Sequence, residues 1–178
     1  MPLVRGLASV TTWARGRISW FALGAFLARK YPYPARDGSR AFFMPIPKIG
    51  NIKYKVKKSN AGLGIFAEEP IKRGTWIIEY VGKVINGRKE VEAYPDNKYL
   101  FETSAVRMID GSARSNTARY INHSCKPNCE VDIIGGRVFV KAIKRIEAGD
   151  ELNYDYGKEY FDEYIKDMPC RCAYCKSK

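Results

Sequence analysis

The sequence lacks any apolar run long enough to cross a membrane. No stretch of about eighteen consecutive apolar residues occurs among its 178 residues, so we expect no membrane-spanning helix. Internal repeats and low-complexity tracts are also missing, which excludes repeat architectures. The length fits one domain with a hydrophobic core and is short for two.

Acidic residues are scarce, and they are scarcest at the start of the chain. The formal net charge is +12, and residues 1–36 carry six Arg or Lys and no acid. The rest of the chain has 25 basic and 19 acidic residues, so it is only moderately basic. A basic balance favours anionic partners, nucleic acid first among them, but it does not indicate a fold.

Cysteine occurs in an odd number and an uneven pattern. There are five cysteines, and the spacing of Cys170, Cys172 and Cys175 is too tight for a secreted disulfide framework. Three cysteines this close, with Cys125 or Cys129 as a fourth ligand, match a tetrahedral structural zinc site. Reduced thiols indicate an intracellular protein, and the choice between cytoplasm and nucleus stays open.

Residues 1–45 differ in composition from the rest of the chain, and we expect them to be a basic, poorly ordered extension. The apolar run at residues 18–28 follows two arginines, as in a targeting presequence, but it lacks a clean cleavage site. We therefore interpret it as an extension. The two prolines and the Gly-Ser pair of residues 31–39 predict a linker.

From residue 46 onward the pattern predicts a mainly β fold of small curled sheets with few short helices. Gly135-Gly136 predicts a hairpin turn. Short helices are expected at 89–94, 116–121 and 159–166. The predicted strands are 52–58, 64–67, 76–84, 99–103, 107–109, 129–134 and 137–143.

Four segments carry residues suited to ligand chemistry. Gly62-Leu63-Gly64 lets a backbone pass close to a ligand, although most Gly-x-Gly pairs are simple turns. The only histidine, His123, follows Asn122 in a cluster of hydrogen-bonding groups, whereas a lone histidine is more often a core or capping residue. Tyr154 and Tyr156 would share one face of a strand and line a channel, or pack with their hydroxyls outward. The fourth segment is the cysteine cluster.

The order of GLGIF, EYVG, YLF, NHSCKPNC, ELNYDYG and CRCxxC resembles that of the SET-domain protein lysine methyltransferases, from roughly residue 52 to 175. Each motif is loose, but their joint order is specific. The resemblance implies a β-clip-like SET domain at 46–157, a C-terminal pseudo-knot, and a post-SET segment at 158–178 that holds one structural zinc ion. The match departs from the family in one place, because only Ala173 and Tyr174 separate the last two cysteines where four residues are usual.

The resemblance also implies site residues. Tyr156 matches the catalytic tyrosine, with Tyr154 and Tyr80 beside it, and Tyr80, Phe101 and Tyr154 match the walls of the lysine channel. The metal ligands would be Cys125, Cys170, Cys172 and Cys175. Tyr160 is an alternative to Phe161 over the adenine. The residues matching those that bind S-adenosyl-L-methionine are Gly62, Leu63, Gly64, Tyr99, Arg119, Asn122, His123 and Phe161.

The chemistry is consistent with such a channel. A lysine amine has a reference pKa near ~10.4 and arrives protonated at neutral pH. A poorly hydrated aromatic channel next to a sulfonium disfavours that ammonium form. Tyr154 predicts chiefly monomethylation, since family members with Tyr at this position tend to stop early. The expected substrate is a histone or another basic protein with an exposed lysine.

Two other interpretations remain open. The chain could be a SET-fold module that binds cofactor or peptide without catalysis, although the residues of its motifs are intact. It could also be a basic zinc protein with a weak nucleic-acid contact. The sequence does not indicate the target lysine, the oligomeric state or whether residues 1–45 belong to the working protein.

Overall fold

The computed structural model describes residues 45–87, 97–104, 106–166 and 169–178, and within these ranges the protein is built mainly of short strands. The helical segments are few: a 3-10 helix at Thr117–Tyr120, α1 at Lys158–Tyr164 and α2 at Ala173–Lys176. This confirms the predicted fold class. The strands are β1 (Tyr54–Ser59), β2 (Gly62–Ala67), β3 (Trp76–Tyr80), β4 (Lys83–Asn86), β5 (Leu100–Ser104), β6 (Arg107–Asp110), β7 (Asn122–His123), β8 (Cys129–Ile134), β9 (Arg137–Ala142) and β10 (Asn153–Tyr154).

The described strands form four small sheets. β1 and β2 pair as an antiparallel hairpin, and two three-stranded sheets have the orders β3-β9-β8 and β4-β6-β5. Gly135 and Gly136, with φ of 59° and 73°, make the turn between β8 and β9. Two successive positive φ angles define the hairpin turn type that twists with its strands, so the Gly-Gly prediction is confirmed.

The fourth sheet is a short parallel pair that positions the site. β10 lies beside β7, with Asn153 opposite Asn122 and Tyr154 opposite His123. Parallel neighbours cannot be joined by a tight turn, so this pairing joins segments far apart in sequence. It sets the C-terminal part of the chain against the Asn122-His123 loop, the contact that the predicted pseudo-knot requires.

The main hydrophobic core of the described residues packs against the site, and a smaller cluster of Ile85 and Met108 lies apart from it. The side chains at the centre of the main core are almost fully buried, and Tyr154 packs against them. Leu152, fully buried, donates its N–H to the carbonyl of Ile65 at 2.8 Å, which fixes the chain just before β10 on β2. The aliphatic side chains at the centre are Ile65, Ile71, Ile77, Ile121, Val138, Val140, Ile146 and Leu152.

One predicted strand is wrong: residues 76–84 form two strands in different sheets. β3 ends at Tyr80 and β4 begins at Lys83. A Cβ on Gly82 would lie 2.0 Å from the carbonyl oxygen of Asp110, so the chain passes there backbone to backbone. The N–H of Val81 donates to the side chain of Asn116 instead of to a strand. The other predicted elements that lie within the described residues agree with the structure to within two residues at most ends, whereas no bounds were predicted for β7, β10 and α2.

Several predictions lie outside the described residues: the extension at 1–45 apart from its last residue, the linker at 31–39 and the helix at 89–94. No helix within the described ranges is long and apolar enough to cross a membrane.

Candidate active site

Tyr154, the last residue of β10, and Tyr156, two residues beyond it, form the centre of the site. The predicted shared face of one strand is therefore wrong, because the strand ends at Tyr154. The rings of Tyr154 and Tyr156 lie 4.8 Å apart between centroids. The hydroxyl of Tyr156 donates to the backbone carbonyl of Ile121 at 2.6 Å, and the carbonyl of Tyr154 accepts from the N–H of Ser124. The segment preceding β8 therefore holds both tyrosines in place.

A second aromatic pair, Tyr80 and Phe101, comes from β3 and β5. Their ring centroids are 5.5 Å apart, and the Tyr80 hydroxyl donates to the carbonyl of Tyr99 at 2.8 Å. The Tyr80 ring lies directly on the backbone of Gly111, where an added Cβ would be 2.3 Å from it. The structure thus brings together the residues that were predicted for the channel walls.

Burial keeps these phenols neutral. It raises the pKa of Tyr80, Tyr154 and Tyr156 far above the usual value of 10, and neighbouring tyrosines add to the effect at each of them, as does Asp110 at Tyr80. A site that disfavours a phenolate disfavours any unpaired charge, including an ammonium. The tyrosines therefore offer neutral hydroxyl groups in a poorly hydrated environment.

Asn122 and Glu151 hold the start of β2 against the site. The side-chain NH₂ of Asn122 donates to the carbonyl of Leu63 at 3.0 Å and to Oε1 of Glu151 at 2.7 Å. Carbonyl and carboxylate oxygens accept, so these two bonds fix the amide orientation, and within the described residues its carbonyl oxygen has no hydrogen-bond donor. A Cβ on Gly64 would lie 2.3 Å from that Glu151 oxygen, so glycine is needed for this approach.

His123 lies between the tyrosines and the cysteines. Its Nδ1 accepts from the backbone N–H of Tyr156 at 3.3 Å, and its Nε2 lies 3.3 Å from Sγ of Cys125. The ring of Phe161, from α1, is 5.4 Å away. Burial lowers the pKa of His123, and Asp155 opposes the shift only in part, so the imidazole is neutral at physiological pH.

Tyr99 and Arg119 meet on the Tyr80 side of the site. The guanidinium carbon of Arg119 lies 4.1 Å from the centre of the Tyr99 ring, and Arg119 also donates to the carbonyl of Ser112. Tyr160 packs edge-on against Tyr156 at 4.8 Å, and burial raises its pKa to about 12. Of the two aromatics expected near the cofactor, Tyr160 thus lies against Tyr156, and Phe161 lies against His123.

A polar cleft opens beside His123. One wall is the β1–β2 turn, and the opposite wall is the segment around Cys172. Arg171 lines it, although the sequence analysis gave this residue no role. The lining residues are Ser59, Ala61, Asn122, His123, Ser124, Asn128, Asp150, Glu151, Asn153, Arg171, Cys172 and Ala173.

Four cysteines converge at the C-terminal end of the protein. The sulfur atoms of Cys125, Cys170, Cys172 and Cys175 all lie within 4.8 Å of one another. Zinc–sulfur bonds of ~2.3 Å in a tetrahedron place sulfurs about 3.8 Å apart. The Cys125–Cys170 and Cys125–Cys175 distances are 3.9 and 3.6 Å, so this set fits one zinc ion.

Cys129, the alternative fourth ligand, lies apart from the cluster. It is 1% exposed, and its thiol donates to Oδ1 of Asn128. Burial raises its pKa to about 12, as for a thiol that stays protonated in the core.

The sequence analysis missed the roles of Glu151 and Asn128. Both lie inside quoted motifs, yet neither was assigned a contact. The Asn128 side chain donates to the carbonyl of Glu151 and accepts from the N–H of Asn153, which ties β8 to β10. A polar residue directly before a buried strand position, as at Asn128-Cys129, is a weak signal that could have indicated it.

Comparisons with known proteins agree with this geometry. Residues 62–157 match the SET domain family model. The chain is 36% identical over 133 residues to histone-lysine N-methyltransferase trr of Drosophila melanogaster, covering 69% of this chain and 5% of that protein. It is 33% identical over 133 residues to histone-lysine N-methyltransferase 2D of Homo sapiens, with 69% and 2% covered. For histone-lysine N-methyltransferase ASHH3 of Arabidopsis thaliana, identity is 38% over 129 residues, with 66% and 35% covered.

The chain thus spans about a third or less of the length of each of these relatives. The family match covers more than half of this chain and contains both tyrosines and the Asn122-His123 loop. On this evidence, the chain belongs to the SET-domain family.

Proposed function

We propose that this protein transfers a methyl group from S-adenosyl-L-methionine to the side-chain amine of a lysine in another protein. The observation that carries the proposal is the meeting of two aromatic pairs, Tyr80–Phe101 and Tyr154–Tyr156, beside a polar cleft. Tyr80 is buried, and the other three rings are partly buried. A narrow aromatic passage admits a lysine stem, and a polar cleft suits a nucleoside with an amino-acid tail.

The residues around the cleft fit such a cofactor. Asn122 has both amide hydrogens engaged by Leu63 and Glu151, which leaves its carbonyl oxygen to accept from an ammonium group. Gly64 keeps the β2 backbone open to close approach. The proposed contacts of the cofactor are Gly62, Leu63, Gly64, Tyr99, Arg119, Asn122, His123 and Phe161.

The tyrosines would prepare the lysine for reaction. The partly buried aromatic walls disfavour its ammonium form, so the amine releases a proton to solvent before it attacks. When bound, the cofactor supplies a methyl group on a positively charged sulfur. The Tyr156 hydroxyl and the Ile121 carbonyl, held 2.6 Å apart, form a fixed polar pair near the reacting atoms. Alignment of this kind contributes roughly 7–11 kcal/mol at best.

Tyr154 supports a preference for monomethylation. Its hydroxyl adds a second polar group beside Tyr156, where it can hold the amine or a water molecule. A methylated amine must rotate to present its lone pair again, and a fixed hydrogen bond opposes that rotation.

The proposed substrate is a histone or another basic protein, and the proposed location is intracellular, in cytoplasm or nucleus. The support is the similarity to relatives that are histone-lysine N-methyltransferases. The post-SET segment at 158–178 would bind one structural zinc ion through the four clustered cysteines.

The experiment is methyl transfer from labelled S-adenosyl-L-methionine to core histones and to a lysate of basic proteins. Label on a histone lysine, lost in Tyr156→Phe, would support both activity and substrate class. Label only on another protein would keep the activity and refute the histone assignment. No label on any protein would contradict the proposed activity.

A weak nucleic-acid contact is a second candidate, favoured by β1. Lys55, Lys57 and Lys58 are all exposed on this strand, and within the described part of the chain only Lys55 of these three has an ion pair, with Glu68 at 2.7 Å. Such a contact predicts DNA binding that weakens steeply with salt. Replacing Lys57 and Lys58 by Gln should reduce the salt slope by about two. Binding with no salt dependence would refute it.

A further inference from the structure

Both ring nitrogens of His123 have partners, and these partners belong to different parts of the site. Nδ1 faces the backbone N–H of Tyr156 at 3.3 Å, and Nε2 faces Sγ of Cys125 at 3.3 Å. One side of the ring therefore contacts the tyrosine segment, and the other contacts the cysteine cluster. No other histidine exists in the chain.

The contact with Tyr156 determines which nitrogen carries the proton. A backbone N–H is always a donor, so Nδ1 must present its lone pair to it, and a neutral ring then carries its hydrogen on Nε2. Among the described residues, the one carboxylate in contact with the ring is that of Asp155, which is 64% exposed; its Oδ1 lies 3.6 Å from Nδ1, too distant for a hydrogen bond. The Nε2–H is therefore directed at Cys125.

A donor at this position has a clear effect on a zinc-loaded cluster. Four thiolates carry more negative charge than one zinc ion balances, so N–H groups near the sulfurs stabilise the set. The structure contains a second donor of this kind, because the N–H of Cys175 lies 3.4 Å from Sγ of Cys172. His123 and Cys175 thus serve two different sulfurs.

We propose that His123 is a positioning residue that couples the cysteine cluster to the Tyr156 segment. It donates Nε2–H to the Cys125 thiolate and accepts the Tyr156 N–H on Nδ1. Loading the cluster fixes the ring, and the ring fixes the backbone that carries Tyr156. The inference rests on the proposed zinc site.

The tautomer can be read directly by ¹⁵N NMR, because the chain has a single imidazole. The zinc-loaded protein should show a protonated Nε2 and an unprotonated Nδ1, and removal of zinc by a chelator should change the Nε2 resonance most. A zinc-loaded protein with its proton on Nδ1 would overturn the inference.

Two variants separate the two contacts. The Oδ1 of Asn occupies about the place of Nδ1, whereas the side-chain amide of Gln reaches about the place of Nε2. H123N therefore keeps the acceptor for Tyr156 and loses the donor to Cys125, and H123Q does the reverse. H123N should retain zinc about 10- to 100-fold more weakly than the wild type in chelator competition, as for other outer partners of metal ligands. H123Q should stay within roughly threefold of the wild type, by the same reasoning.

The rate of hydrogen exchange at the Tyr156 amide tests the other contact, between this N–H and Nδ1 of His123. H123Q should exchange this proton faster than the wild type, and H123N should keep it protected. Equal zinc retention by H123N and H123Q, or equal exchange rates of the Tyr156 amide in the two variants, would overturn the inference. These readouts do not depend on turnover, so they are separate from the proposed methyl transfer. A wild-type protein that binds no zinc would overturn the zinc site and this inference together.

Discussion

The contact between Gly64 and Glu151 permits a sharp test of how the cofactor side of the site is held. In Gly64→Ala the new Cβ would lie 2.3 Å from Oε1 of Glu151, so that flexible side chain must move. Moving it breaks the 2.7 Å hydrogen bond from Asn122. Hydrogen bonds to charged groups contribute about 1.5–3 kcal/mol, and we expect Gly64→Ala to lower the free energy of unfolding by about that amount.

A double-mutant cycle with Glu151→Ala isolates this cause. Once the carboxylate is gone, Gly64→Ala no longer breaks the bond, and only the contact with Ser59, at 3.0 Å, still opposes the methyl group. The coupling free energy should therefore be about 1.5–3 kcal/mol. Gly62→Ala is the matched control. Its φ of +118° makes alanine strained by roughly 1–2 kcal/mol, but no atom lies within 4 Å of the new Cβ, so its coupling to Glu151 should be near zero.

The assay is urea unfolding of the zinc-loaded variants, followed by calorimetry with S-adenosyl-L-methionine. Loss of the bond frees the Asn122 amide to rotate, so cofactor affinity in Gly64→Ala should fall roughly tenfold, equivalent to about 1.4 kcal/mol. A coupling below about 0.5 kcal/mol, within ordinary additivity, would refute the assigned role of Glu151. Equal coupling for Gly62 and Gly64 would refute it as well.

Three further predictions concern other parts of the molecule. Burial raises the pKa of Glu102 to about 7, so the free energy of unfolding falls as pH rises from about 4.5 to 7 and this carboxyl loses its proton. The melting temperature of Glu102→Gln relative to that of the wild type should therefore be higher at pH 8 than at pH 5. An equal difference in melting temperature at the two pH values would contradict this. Tyr154→Phe should increase the share of dimethyl and trimethyl product measured by mass spectrometry, and an unchanged product distribution would count against the hydroxyl's role. Cys175→Ser should lose zinc measured by elemental analysis, whereas Cys129→Ser, outside the cluster, should keep it; loss in both variants would contradict the assigned ligand set.

Local features were the ones that the sequence predicted well. The Gly135-Gly136 turn depends on two adjacent residues, and the convergence of Cys170, Cys172 and Cys175 follows from their spacing. The adjacency of Tyr154 and Tyr156 is likewise a property of a short segment. Such features need little knowledge of the rest of the chain.

Contacts between distant segments could not be predicted without the fold. The split of residues 76–84 into two strands depends on the close approach of Gly82 to Asp110. Glu151 acts through Asn122, 29 residues away, and the motif containing Glu151 gives no hint of this partner. The sequence also predicted that His123 belongs to the site, but only the structure shows that both of its ring nitrogens are engaged.

The central claim is that this SET domain catalyses methyl transfer and does not merely bind the cofactor. The most direct measurement is single-turnover methyl transfer by the wild type and Tyr156→Phe, with cofactor affinity measured on the same samples by calorimetry. We predict equal cofactor affinity in both proteins and methyl transfer only in the wild type, because the proposal places the Tyr156 hydroxyl near the reacting atoms and gives it no part in cofactor binding. Cofactor binding without methyl transfer by the wild type, or undiminished transfer by Tyr156→Phe, would contradict the claim.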